Sequence, residues 1–150
     1  MFKTRLTLLL ALTLGAAMVA APRTAHAERP IELSQAETVR AEVMVIEASN
    51  SGEGVAPALQ RIESNLVRQF AQFSAFTLDS RHTLVLTIGE ERSFALPGGG
   101  RATIRVETQG AGAVMVVSVP GGTSRIESGG LVFVGAGRAG GGGVILAIQS

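Results

Sequence analysis

The sequence predicts an α+β fold that is mostly β, with about eight strands in an antiparallel sheet or β-sandwich and one amphipathic helix packed on it. Two observations lead there. From Ser74 onward the chain alternates apolar and polar residues in short runs, with turn signals every eight to twelve residues, the spacing of a meander or sandwich. Before Ser74 a single stretch changes period: Leu59, Ile62, Leu66, Phe70 and Phe73 recur every three or four residues, as on one face of a helix.

The amino terminus reads as a secretory signal peptide over residues 1–27. Lys3 and Arg5 supply the cationic start, Leu6 to Ala21 is uncharged and rich in Leu and Ala, and Ala25-His26-Ala27 offers the small-x-small pattern that signal peptidase cleaves. Pro22 ends the apolar helix because it lacks an amide proton. The apolar run falls short of the roughly 20 residues a spanning helix needs, so cleavage before Glu28 and export to the periplasm or the medium are expected. Residues 28–38, with Pro30 and three glutamates, read as a flexible lead-in, and residues 39–150 as one domain.

Cleavage changes the charge. The whole chain has 13 basic and 12 acidic residues, but Lys3, Arg5 and Arg23 belong to the leader, which leaves ten arginines against twelve acids and a net charge of −2. With no basic excess, and with the arginines interspersed among glutamates, nucleic acid is excluded as the expected partner. The absence of Cys excludes disulfides, thiolate metal sites, a cysteine nucleophile and an acylated lipoprotein cysteine. No later apolar run is long enough to be an integral membrane helix after signal cleavage.

Val39, Ala41, Val43 and Val45 alternate with Arg40, Glu42, Met44 and Ile46, a strand that becomes apolar on both faces before Ser49-Asn50-Ser51-Gly52 stops it. Pro57 suits the first turn of the helix, where its missing donor has no partner anyway, and one continuous helix is expected through Phe73. Phe70, Phe73 and Phe76 are expected to fill the helix-to-sheet core. Leu84, Leu86 and Ile88 form one apolar face of the next strand. Phe94 and Leu96, the turn Pro97-Gly98-Gly99-Gly100, and Ala102, Ile104 and Val106 form the clearest hairpin. Val114 to Val119 is almost wholly apolar, which predicts a central strand covered on both faces, ended by Pro120-Gly121-Gly122. Ser124 to Glu127 is a short polar strand, Leu131 to Val134 an apolar one, and Val144 to Ile148 the last.

Gly135-Ala136-Gly137-Arg138-Ala139-Gly140 satisfies Gly-x-Gly-x-x-Gly after a strand, the spacing of a dinucleotide fingerprint. That chemistry needs a helix opening at the third glycine and a ribose-binding acid about twenty residues on, and Gly141-Gly142-Gly143 and a strand follow instead. The stretch reads as a flexible hairpin loop, and Gly135, Gly137, Arg138 and Gly140 as a partner-binding loop whose bare backbone amides would meet an anion or a protein. No cofactor is expected.

Serine-type catalysis needs a hydroxyl, an imidazole and an acid. After the leader there is one His, His82, and one Asp, Asp79; Asp79-Ser80-Arg81-His82 reads as a turn between strands. One His without Cys makes no transition-metal centre, and no catalytic or metal residue is assigned. Glu90-Glu91, the only adjacent acids, read as a charged hairpin turn.

Val43-Met44-Val45-Ile46-Glu47-Ala48-Ser49-Asn50, the helix ending at Phe70, the stretch Leu84 to Leu96, Gly129-Gly130-Leu131-Val132-Phe133-Val134 and Val144 to Ile148 together resemble an uncharacterised family of small exported bacterial β-rich proteins. The terminal Gly-Gly-apolar segment is also similar to strands of the pore proteins of bacterial secretion systems. The resemblance implies export and a β-rich fold, and brings no activity with it. The expected function is a non-catalytic envelope or assembly module that binds a protein partner in the cell envelope. The alternatives are an exported hydrolase using His82 and a small accessory protein at the outer membrane, where a barrel of its own would need strands of about ten residues.

Overall fold

The computed structural model of the chain describes residues 37–150, so the expected signal peptide and nearly all of the expected lead-in lie outside the described residues. Among the described residues nine strands form two sheets, and a short helical segment makes a third layer. No helix among the described residues is long and apolar enough to cross a membrane.

Strand β1 (Thr38–Ser49) is the centre of the larger sheet. Its two apolar faces have separate uses. Val39, Ala41, Val43 and Val45 enter the core between the sheets, while Met44, Ile46 and Ala48 enter a second cluster on the opposite face. After a two-residue strand, β2 (Gly54–Val55), the expected single helix is divided. Pro57–Ile62 forms a 3₁₀ turn, and α1 (Glu63–Gln69) is the only α-helical part. The apolar spacing explains the division: Leu59 and Ile62 lie three apart, which eclipses them in a 3₁₀ turn, whereas Ile62 and Leu66 lie four apart, the α repeat. All three are buried on the outward face of the larger sheet. Phe70 caps the helix, and Phe70 and Phe73 are half-buried against this second cluster, which Phe76 joins fully buried.

Strand β3 (Ala75–Thr87) pairs antiparallel with β1 and, at its first residues, parallel with β2. Asp79-Ser80-Arg81-His82 is therefore the middle of a strand and not a turn. Val45 faces Ser80 but Ile46 faces Leu78, so Asp79 is the extra residue of a bulge. The extra residue reverses which side chains face inward. Leu84 and Leu86 lie in the inter-sheet core, whereas Phe76 and Leu78 turn to the helical layer.

The turn after β3 also differs from expectation. Ile88 is 41% exposed rather than continuing the face of Leu84 and Leu86. Glu90 does not close a hairpin, because β4 (Glu91–Ala95) belongs to the other sheet. The Glu90 carboxylate accepts a hydrogen bond from the Thr87 amide at 2.8 Å, and this bond, with help from the Thr87 side chain, lowers its pKa below the ordinary carboxylate value.

The smaller sheet runs β4-β5-β6-β7, with β5 (Arg101–Gln109), β6 (Gly112–Val119) and β7 (Gly122–Glu127). The predicted hairpin across Pro97 to Gly100 is present, closed by Leu96 and Gly100. The last two strands, β8 (Leu131–Ala139) and β9 (Gly142–Gln149), return to the larger sheet, whose order is β2-β3-β1-β9-β8. Met115, Val117, Val144, Leu146 and Ile148 meet Val43 and Val45 in the inter-sheet core.

Candidate functional site

The glycine-rich motif is strand. β8 and β9 continue through Gly135 to Gly143, and only Gly140 and Gly141 are left to turn between them. Their φ values of 54° and 86° suit the two-residue turn of a tight hairpin, which needs positive φ at both positions. The flexible loop expected from the sequence is thus replaced by paired backbone: Gly135 faces Ile145 and Arg138 faces Gly143, with one extra residue at Ala136–Gly137. No helix opens at Gly140, so the fingerprint geometry that holds a pyrophosphate is missing from the motif.

The structure brings Gly135, Gly137 and Arg138 to one side of an open groove of about 430 Å³ on the helical face of the larger sheet. Phe70 and Phe73 form its other wall, with Asn50 and Gln72 beside them. Gly140, at the turn, does not line it. Phe70 meets Phe133 of β8 edge-to-face with ring centroids 5.8 Å apart, and Phe73 covers Gly143 so closely that a methyl group there would lie 2.8 Å from the ring. Past Phe133 the helical layer ends. An added Cβ at Gly135 would find nothing within 4 Å, and Gly135 has no positive φ, so neither packing nor backbone requires glycine there. The glycines and Arg138 stand out in the sequence, whereas the phenylalanines of the aromatic wall carry only the signal of a helix stripe.

Among the described residues β8 is also an edge of the sheet, paired by β9 alone. The other edges among the described residues are blunted in ways that discourage pairing: β4 carries Glu91 and Arg92, β7 carries Arg125 and Glu127, and β3 beyond the short β2 carries Asp79, its bulge and Arg81. β8 carries no charge from Leu131 to Gly137, and Val132 is 36% exposed.

His82 lies half-buried on β3, stacked on Phe94 with ring centroids 4.8 Å apart, and its Nε2 is 3.2 Å from the Ser80 hydroxyl. That contact joins two residues of one strand on the same face. Among the described residues no carboxylate is hydrogen-bonded to the ring, so the group that orients the imidazole of a catalytic triad is missing there. No cluster of three potential metal ligands occurs among the described residues. A second open cavity of about 460 Å³ lies beside the 3₁₀ turn between Arg61, Arg81, Met44 and Leu78. Its Arg81 is engaged by Glu42 at 3.2 Å and by the Ala58 carbonyl at 3.2 Å, which leaves that guanidinium neutralised.

No family model matches the chain, and no curated protein and no solved structure is similar enough to it to count as a match.

Proposed function

We propose that the protein is an exported, non-catalytic interaction module that engages a protein partner in the cell envelope through the β8 edge and the adjoining groove. One observation carries this reading: among the described residues Leu131 to Gly135 is an uncharged strand edge, hydrogen-bonded on one side only, beside a groove that the helical layer leaves open at Gly135. A partner strand laid along that edge would satisfy the free backbone groups at the usual spacing of about 4.8 Å and place alternate side chains over the groove. The leader, with its Ala25-His26-Ala27 site, supports the exported setting.

The test is a photocrosslinking amino acid at Val132, compared with one at Ser93 on the β4 edge, in the exported protein of the native host. Protein adducts from Val132 and none from Ser93 are expected. Adducts from Ser93 alone would overturn the reading.

A further inference from the structure

We infer that the occupant of the β8 edge is the β8 strand of a second copy, joined in an antiparallel two-fold contact centred on Phe133. This rests on the reading of β8 as the interaction edge, and it names what sits there. The regular part of the strand is Leu131 to Gly135, because the extra residue at Ala136–Gly137 breaks the register immediately afterwards. In an antiparallel pair, residues directly opposite each other point to the same face. Pairing this stretch with itself therefore puts Phe133 on the axis, Val132 opposite Val134, and Leu131 opposite Gly135 of the second copy.

Shape favours that pairing. Leu131 is half-buried on the helical face and leaves part of its side chain outward, while Gly135 on the same face has open space above it. Each Leu131 would fill the gap over the other copy's Gly135, at the end of the groove walled by Phe70 and Phe73, and the two-fold axis makes this happen twice. Glycine inside a strand costs about 0.5–1 kcal/mol relative to alanine, and one reason to keep it is the close approach of another chain. Within one copy, neither backbone nor neighbours supply another reason at Gly135.

Charge favours it too. The paired stretch contains no ionisable side chain. The nearest one along β8, Arg138, falls outside the ladder, and the two copies' Arg138 residues would lie ten positions apart along it, roughly 33 Å, beyond the screening length of about 8 Å at physiological salt. The β7 edge offers no such arrangement, since Thr123 to Glu127 paired in the same way would set Arg125 against Arg125.

The experiment is sedimentation velocity on the full exported chain over a range of concentrations. Wild type should sediment as a dimer that dissociates on dilution. Gly135→Val should raise the dissociation constant at least tenfold while leaving the melting temperature of the dilute protein unchanged, because the new side chain meets open space in a single copy. Leu131→Ala combined with Gly135→Leu exchanges knob and hole and should recover the dimer. A wild type that is monomeric throughout, or a Gly135→Val variant that dimerises as tightly as wild type, would overturn the inference. The crosslinker at Val132 separates this failure from that of the broader reading. An adduct of twice the chain mass supports the dimer; an adduct with a different protein overturns the dimer and leaves β8 as the interaction edge; no adduct at all defeats both.

Discussion

The outward face of the five-stranded sheet lies beneath a helical layer, whereas the outward face of the four-stranded sheet is closed over by its own charged side chains. On the first, Met44, Ile46, Ala48, Ile145 and Ala147 pack against Leu59, Ile62 and Leu66. On the second, Val114 and Val116 of β6 are buried with no layer above them among the described residues. Val114 stands between Glu107 and Glu127, and Val116 between Arg105 and Arg125. Glu107 pairs with Arg105 and reaches Arg125 at 3.5 Å. The aliphatic stems of these side chains cover the two valines while their charged ends stay in water. Next to this row, Ser93, Thr103, Ser118 and Thr123 stand in line across the four strands. The lesson is that an apolar run such as Val114 to Val117 reports burial on both faces without reporting what does the burying. On the helix-covered face the groove walled by Phe70 and Phe73 stays open beside β8.

The sharpest test of that contrast is one residue wide. Met115 is fully buried between the sheets, and Met115→Asp would place an unpaired charge there at a cost of several kcal/mol, out of a typical total stability of about 5–15 kcal/mol. It should abolish the cooperative thermal transition seen by circular dichroism. Val116→Asp, one position along, falls between two guanidinium groups and should still fold, losing no more than about 2 kcal/mol. Loss of the transition in both variants would mean that a further layer covers β6.

Leu66 is fully buried beneath the helical layer, and Leu66→Ala should lower stability by about 2–5 kcal/mol in urea unfolding. A loss below about 1 kcal/mol would show that α1 is dispensable to the sheet it covers. Glu107→Ala removes the carboxylate that links Arg105 and Arg125 and should cost about 1 kcal/mol or less, a difference that shrinks in high salt because these pairs are exposed to solvent. An effect indifferent to salt would assign the loss to the stem and not to the charge.

The smallest effect belongs to Glu90, whose folded-state pKa is lowered chiefly by the Thr87 amide. A carboxylate with a depressed folded pKa stabilises the fold above its ordinary pKa, and that contribution disappears as pH falls through the lowered value. Glu90→Gln should therefore differ from wild type near neutral pH and converge with it in acid. Curves that stay parallel across the titration would exclude the Thr87 contact as the cause.

The residues that made the fold legible in the sequence are those whose pattern is local. Val39 to Ile46, the hairpin around Pro97 to Gly100 and the strand Val114 to Val119 declare themselves by alternation and turn chemistry. The bulge at Asp79 was not legible, because an extra residue is defined by the register of β1 and β3 and not by Asp79 or its neighbours. The glycine motif misled for a related reason. Gly135 to Arg138 looks like loop because glycine is a poor strand former, yet its backbone is organised by pairing with β9, whose residues lie several positions on. Gly135 and Arg138 could be singled out as residues of interest, whereas their place on an edge strand beside Phe70 and Phe73 follows only from the sheet order.

Amide hydrogen exchange on the purified protein, at a concentration well above the dissociation constant expected for the dimer, tests the β8 edge most directly. Amides of Leu131 to Gly135 should exchange as slowly as those of the interior strand β9, whereas the edge amides of β4 and β7 exchange quickly, and Gly135→Val should return β8 to the fast class. If the β8 amides of the wild-type protein exchange as fast as those of β4, the edge is open to water and the pairing of β8 with a second copy is contradicted.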